Sequence, residues 1–126
     1  MKNFSMIKLI FICVFVSNAV SADVPPAQKA EVNHLLAFVE NSHCIVKRNG
    51  DKHQADEAVK HIKRKYDYFR DDINSTEDFI NLSASKSTLS GNYYTVLCPG
   101  KKTMRTQDWL MAELKSYRAK KNDDVR

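Results

Sequence analysis

Apolar residues recur along this chain in three rhythms. Between Gln28 and Asn41, Val32, Leu35, Leu36 and Val39 fall at i, i+3, i+4 and i+7, the stripe of an amphipathic helix, with His34 roughly opposite. The same period returns after Asp56, a candidate cap, in a helix that runs to about Asp72 and turns Ala58, Val59, Ile62, Tyr66, Phe69 and Ile73 inward. Ser75-x-x-Asp78 has the form of a capping box and starts a shorter helix, Thr76 to about Ala84, with Phe79, Ile80 and Leu82. Thr106 is placed to cap a last helix holding Trp109, Leu110, Leu114 and Tyr117. The charged stretch 119–126 is expected to fray.

The second rhythm is alternation. Cys44 to Arg48 is a β-branched run followed by Asn49-Gly50 and a return over Asp51 to Gln54; Asn-Gly is a strong hairpin signal because both turn residues need positive φ. Tyr93 to Cys98 places Tyr94, Val96 and Cys98 on one face of a strand, and Pro99-Gly100 turns the chain into Lys101 to Met104. The pattern predicts a single small α+β domain over 28–118: a short antiparallel sheet of two hairpins covered by about four helices, after a lead-in at 23–27.

A weak repeat at an offset of 50 residues matches Val46 with Val96, Gly50 with Gly100, Lys52 with Lys102, and the cap candidates Asp56 and Thr106. It suggests two ββα units about a pseudo-twofold axis. If 44–48 and 94–98 pair antiparallel across that axis, Cys44 faces Cys98, Val46 faces Val96 and Arg48 faces Tyr94, in the strand order short–long–long–short.

The third rhythm is a continuous apolar run, Leu9 to Val16, flanked by Lys2 and Lys8 and followed by SNAVSA with small residues at Val20 and Ala22. This is the layout of a secretory signal peptide over 1–22, expected to be cut between Ala22 and Asp23, with an uncleaved anchor as the alternative. The run is short for a membrane span, so the mature form is expected to have none and to be periplasmic. Two lysines leave with the signal, which takes the net charge from +5 to +3; neither this balance nor export points to nucleic acid. Export favours pairing the two remaining cysteines, Cys44 and Cys98, as a structural disulfide, since no C-x-x-C is present.

Three groups of residues invite a chemical reading. Ser83 and Lys86, in SASKSTLSG, have the Ser-x-x-Lys spacing of penicillin-recognising enzymes. They fall at the end of a predicted helix, where the dipole has the wrong sign to support a developing anion. Met104 stands where the Lys102-Thr103 pair would need glycine, and no Ser-Asp-Asn follows. A helix stop rich in hydroxyls is the better reading, and those hydroxyls are also candidates for a small polar site. His34, His43, His53 and His61 show no metal-binding spacing, so neither metal nor other cofactor is expected. Lys60, Lys63, Arg64 and Arg70 share an outward arc with Asp67 and Asp71, which reads as a partly self-neutralised face or as a binder of anionic envelope components.

In order, the chain carries C-x₃-R-N-G at Cys44 to Gly50, E-A-x-x-H-x-x-x-K-Y at Glu57 to Tyr66, E-D-F-I at Glu77 to Ile80, A-S-K-S-x-x-S-G-x-x-Y at Ala84 to Tyr94, C-x-G at Cys98 to Gly100, and Trp109-Leu110. This series resembles a domain-of-unknown-function family of small exported bacterial proteins that includes the YfeK-type proteins. The resemblance covers about Leu35 to Leu114 and implies a compartment but no activity. Within it, Arg48, Asn49, His61, Tyr66, Ser87 and Ser90 are nominated as a common binding surface. The expectation is a non-enzymatic accessory or binding protein of the cell envelope, with an envelope protein or ligand as partner. The alternatives are a small hydrolase using a Ser/His surface near residue 61 and 83–91, and an anionic-surface binder using Lys60, Lys63 and Arg64.

Overall fold

A computed structural model describes residues 12–14 and 23–126; the proposed signal peptide otherwise lies outside the described residues. Helix α1 spans Pro26–Glu40, with a proline at its first position, where a missing N–H costs nothing. Strands β1 (Ile45–Arg48) and β2 (Asp51–His53) form the first hairpin, joined by Asn49 and Gly50 at φ +49° and +86°, as the Asn-Gly signal requires. Helix α2 (Ala55–Phe69) continues as a 3₁₀ turn over Arg70–Asp72. Helix α3 (Thr76–Ser83), strands β3 (Thr95–Leu97) and β4 (Met104–Arg105), and helix α4 (Thr106–Asp124) complete the chain.

The sheet order is β2-β1-β3-β4, antiparallel throughout, with Val46 opposite Val96 at its centre. Continued one step beyond Ile45 and Leu97, the same register brings Cys44 to Cys98, which form the disulfide with their Cα atoms 4.3 Å apart. Both features match the arrangement expected from two ββα units. The repeat is not a strict one, however. In the first hairpin Val46 pairs with His53, whereas in the second Val96 pairs with Met104, one residue later than an offset of 50 predicts. The longer connection between β3 and β4 absorbs the extra residue.

That slip corrects the expected caps. The residues preceding α2 and α4 are Gln54 and Arg105, 51 positions apart, and neither side chain caps its helix. Asp56 lies inside the first turn of α2, where its charge complements the helix dipole. Thr106 is the first helical residue, and its buried hydroxyl donates to the Ala84 carbonyl, joining the start of α4 to the end of α3. Ser75 does cap α3, accepting from Asp78 N–H at 3.0 Å; the Asp78 carboxylate reaches back one residue further, to Asn74 N–H. Helix α4 continues to Asp124, so 119–124 is helical where a frayed tail is expected.

The four helices cover one face of the sheet, and the core lies between the layers. Val32, Leu35 and Val39 of α1, Ala58, Val59 and Ile62 of α2, Phe79 and Ile80 of α3, and Leu110 and Leu114 of α4 meet the inward Val46 and Val96. His34 does not stand free opposite the stripe of α1. It lies on the flank facing α4, stacked on Tyr117 at 4.2 Å and hydrogen-bonded to Glu113 at 2.9 Å.

Candidate functional site

His61, Arg64, Lys65 and Tyr68 fall at i, i+3, i+4 and i+7 on α2 and so form one stripe along the helix. This stripe faces the serine loop. Arg48 shares the inward face of β1 with Val46, two residues away, and its side chain reaches the same space from the sheet. Tyr94 enters it from the residue just before β3. Ser87, Thr88 and Leu89 close the far side, and the resulting concavity has a volume of about 390 Å³.

The loop is held by its own hydrogen bonds. Ser87 N–H donates to Asn92 O and Gly91 N–H to Ser87 O, both at 2.9 Å, while Gly91 takes φ +72°, a conformation that suits a residue without a side chain. The Asn49 amide ties the loop to the hairpin. It donates to Ser87 Oγ at 3.4 Å and accepts from Ser90 Oγ at 2.9 Å. Lys65 Nζ donates to the Lys86 carbonyl at 2.6 Å and so ties the loop to α2. Three separate elements therefore fix the shape of the concavity.

Its electrostatics are one-sided. Arg48, Arg64, Lys65 and His61 line it, and no carboxylate does. Among the described residues, Arg48, Arg64 and Lys65 form no ion pair with a carboxylate. Arg48 is linked to one only through His53: its guanidinium lies 3.3 Å from His53 Nε2, whose Nδ1 meets Glu57. A guanidinium can only donate, so Nε2 must accept and Nδ1 carries the proton towards Glu57. The Arg48 Nε–H is buried and has no acceptor among the described residues. Burial, reinforced by Arg48, Lys65 and Arg64, pushes the His61 pKa down to about 4, so the ring is neutral near pH 7. Burial, with Arg48 nearby, also lowers Lys65, while burial raises Tyr94.

The structure brings together four of the six nominated residues: Arg48, Asn49, His61 and Ser87 line one concavity. Ser90 stands at its edge, exposed and engaged with Asn49. Tyr66 lies elsewhere. One residue past Lys65, it emerges on another side of α2, packs on Phe79 and donates to Asp23. That contact and burial raise its pKa to about 12, with burial the larger cause. A second depression surrounds it, with Asp23, Lys63, Asp67 and Arg70. The basic run therefore divides: Lys63 borders that mixed-charge depression, Arg70 pairs with Asp67 and Asp23, and Arg64 faces the cationic one. Lys60 is exposed.

Lys65, Tyr68, Thr88, Leu89 and Tyr94 also line the concavity but are absent from the nominated set. The helical spacing from His61 carries a signal for Lys65 and Tyr68; the loop residues carry none, because nothing local states where a loop folds back.

The chemistry on offer is donation. Arg48 Nε–H, the two other cations and the Ser87 hydroxyl converge without an acceptor of full charge, an arrangement suited to an oxyanion. A Ser/His pair is not assembled: His61 Nε2 lies 3.3 Å from Tyr94 Oη, and no serine hydroxyl is hydrogen-bonded to a histidine among the described residues. Ser83 is fully buried, whereas Lys86 is exposed. Among the described residues no cluster of three or more His, Cys, Asp or Glu could hold a metal ion, and no helix is long and apolar enough to cross a membrane.

The chain is similar to an uncharacterised protein, YfeK, of Salmonella typhimurium: 36% identical over 74 residues, which is 58% of this chain and 62% of that protein. The matched stretch thus leaves more than a third of the relative's length outside it. No solved structure matches. The model of a family of unknown function, DUF5329, matches residues 26–118, from the first residue of α1 into the last third of α4. The chain belongs to that family, DUF5329.

Proposed function

We propose that the chain is an exported, non-enzymatic binding protein of the cell envelope, and that it holds an anionic group in the concavity between α2, Arg48 and the 87–89 loop. One observation carries the reading: every charged side chain lining the concavity is cationic, and none is paired with a carboxylate among the described residues. Like charges gathered without a counter-charge repel one another, and the partial burial of Arg48 and Lys65 adds to the cost. An anion relieves both costs. The Cys44–Cys98 disulfide and the apolar leader before Asp23 support export to an oxidising compartment.

The test is an amide-resolved NMR titration of the mature protein with inorganic phosphate at low ionic strength. Saturable shifts centred on residues 61–68 and 87–91, weakened by Arg64→Gln, are the expected result. Shifts spread evenly over the surface lysines, or none, would overturn the reading.

A further inference from the structure

Leu89 is fully exposed and Tyr68 is 79% exposed; they are the two most exposed large apolar side chains between residues 23 and 124, and both border the cationic concavity. A single exposed leucine is ordinary. Two such residues bordering one concavity, one on α2 and one on a hydrogen-bonded loop, are not scattered exposure. Tyr68 is carried by α2 and packs edge-on against Phe69, also in the lining, at 4.8 Å between ring centroids. Leu89 sits at the tip of a loop closed by the Ser87–Gly91 and Ser87–Asn92 hydrogen bonds, so its exposure is built into the turn.

Resting on the anion reading above, we infer that the ligand is a single-chain amphiphile with a phosphate head. The head lies among Arg48, Lys65 and the Ser87 hydroxyl, and the apolar chain leaves between Tyr68 and Leu89. Polarity grades in that direction within one concavity. The buried Arg48 Nε–H lies inside, Lys65 Nζ sits 5.2 Å from the Tyr94 ring centre and 5.9 Å from that of Phe69, and the two bare side chains stand outside. A free inorganic anion would use the inner part and leave the lips in water. A chain attached to it removes their apolar surface from water.

The experiment compares inorganic phosphate, dodecyl phosphate and neutral dodecyl maltoside by calorimetry, each detergent below its micelle concentration. Dodecyl phosphate is expected to bind at least tenfold tighter than inorganic phosphate, and the neutral detergent without measurable affinity. The double variant Tyr68→Ser/Leu89→Ser should abolish the gain from the chain, bringing dodecyl phosphate down to the level at which the same variant binds inorganic phosphate. Lys65→Gln should weaken both. Both lip residues are exposed, so the double variant should keep its thermal midpoint, which is checked first. Phosphate binding with no gain from the chain would overturn this inference and leave the anion reading standing. Absence of all binding would remove both. Equal affinity for the neutral detergent would overturn the inference. In a parallel co-sedimentation with phosphatidylglycerol vesicles, a double variant that keeps its dodecyl phosphate affinity and loses only vesicle attachment would also overturn it and make the two side chains a membrane-facing surface.

Discussion

Arg118 of α4 grips both oxygens of the Glu31 carboxylate on α1, with Nε and Nη2 at 2.7 and 3.0 Å. A third guanidinium nitrogen meets Glu77 of α3, and Thr76 Oγ1 donates to the same Glu31 at 2.7 Å. One arginine thus ties three helices together, and Glu31, only 8% exposed, depends on it. Hydrogen bonding from Arg118, first among the causes, holds both glutamates below the ordinary carboxylate range and raises the arginine itself.

Arg118→Gln should therefore cost about 2 kcal/mol, less than a wholly buried pair because the arginine side chain is 42% exposed. The sign of the pH effect is fixed by the depressed glutamate pKa values. Their contribution is full above the ordinary value of 4.5 and disappears as pH falls through the folded values. The gap in urea midpoint between wild type and variant should be smaller at pH 3 than at pH 7. A constant gap would show that the arginine acts through packing alone.

His61 acts in the same direction, in a higher pH range. Its folded pKa of about 4 lies below its ordinary 6.5, so the unfolded chain binds the proton first. Stability is then full above about pH 6.5 and declines as pH falls towards 4. Allowing for the partial exposure of the ring, the loss between pH 7 and pH 5 is on the order of 1 kcal/mol. His61→Gln should flatten that segment of the stability curve, measured by urea unfolding at half-unit steps. An unchanged slope would place the proton uptake on other histidines.

The disulfide closes a loop with a sequence separation of 54. Chain entropy assigns such a loop about 4 kcal/mol. The paired Cys44→Ser/Cys98→Ser variant should lose most of that in urea, and wild type with added reductant should fall to the same midpoint. A loss under about 1 kcal/mol would mean that the Val46–Val96 register holds the central pair without help.

Local signals in the sequence carried the fold further than the site. Asn49-Gly50 defines its hairpin because the two positive φ values are a local demand. The spacing of Val32, Leu35 and Val39 defines a buried face for the same kind of reason. The β1–β3 register was also legible, since the disulfide and the repeat asked for one alignment. The capping of α2 and α4 was not: the repeat slips by one residue beyond Val96, and Asp56 and Thr106 fall inside their helices. The site was half legible. Arg48, Asn49, His61 and Ser87 converge, but Tyr66, next in sequence to Lys65, belongs to another side of α2. One helical position is a rotation of about 100°, enough to change neighbourhood. Leu89 has no local pattern at all; only the closed loop brings it to the concavity that Tyr68 also lines.

Ser83 and Ser85 offer the last test, because two serines of one short segment should respond in opposite ways. Ser85 Oγ donates to the Ile80 carbonyl at 2.6 Å, so Ser85→Ala removes a made hydrogen bond and should cost about 1 kcal/mol. Ser83 is fully buried, and its hydroxyl has no partner among the described residues. Ser83→Ala removes a polar group that pays for burial without return, and should be neutral or stabilising by up to about 1 kcal/mol. Phosphate affinity should also be unchanged in Ser83→Ala, since Ser83 does not line the concavity. Urea unfolding and the phosphate titration read both effects in the same samples. A destabilised Ser83→Ala, or one that binds more weakly, would return Ser83 to the list of functional hydroxyls from which its burial now removes it.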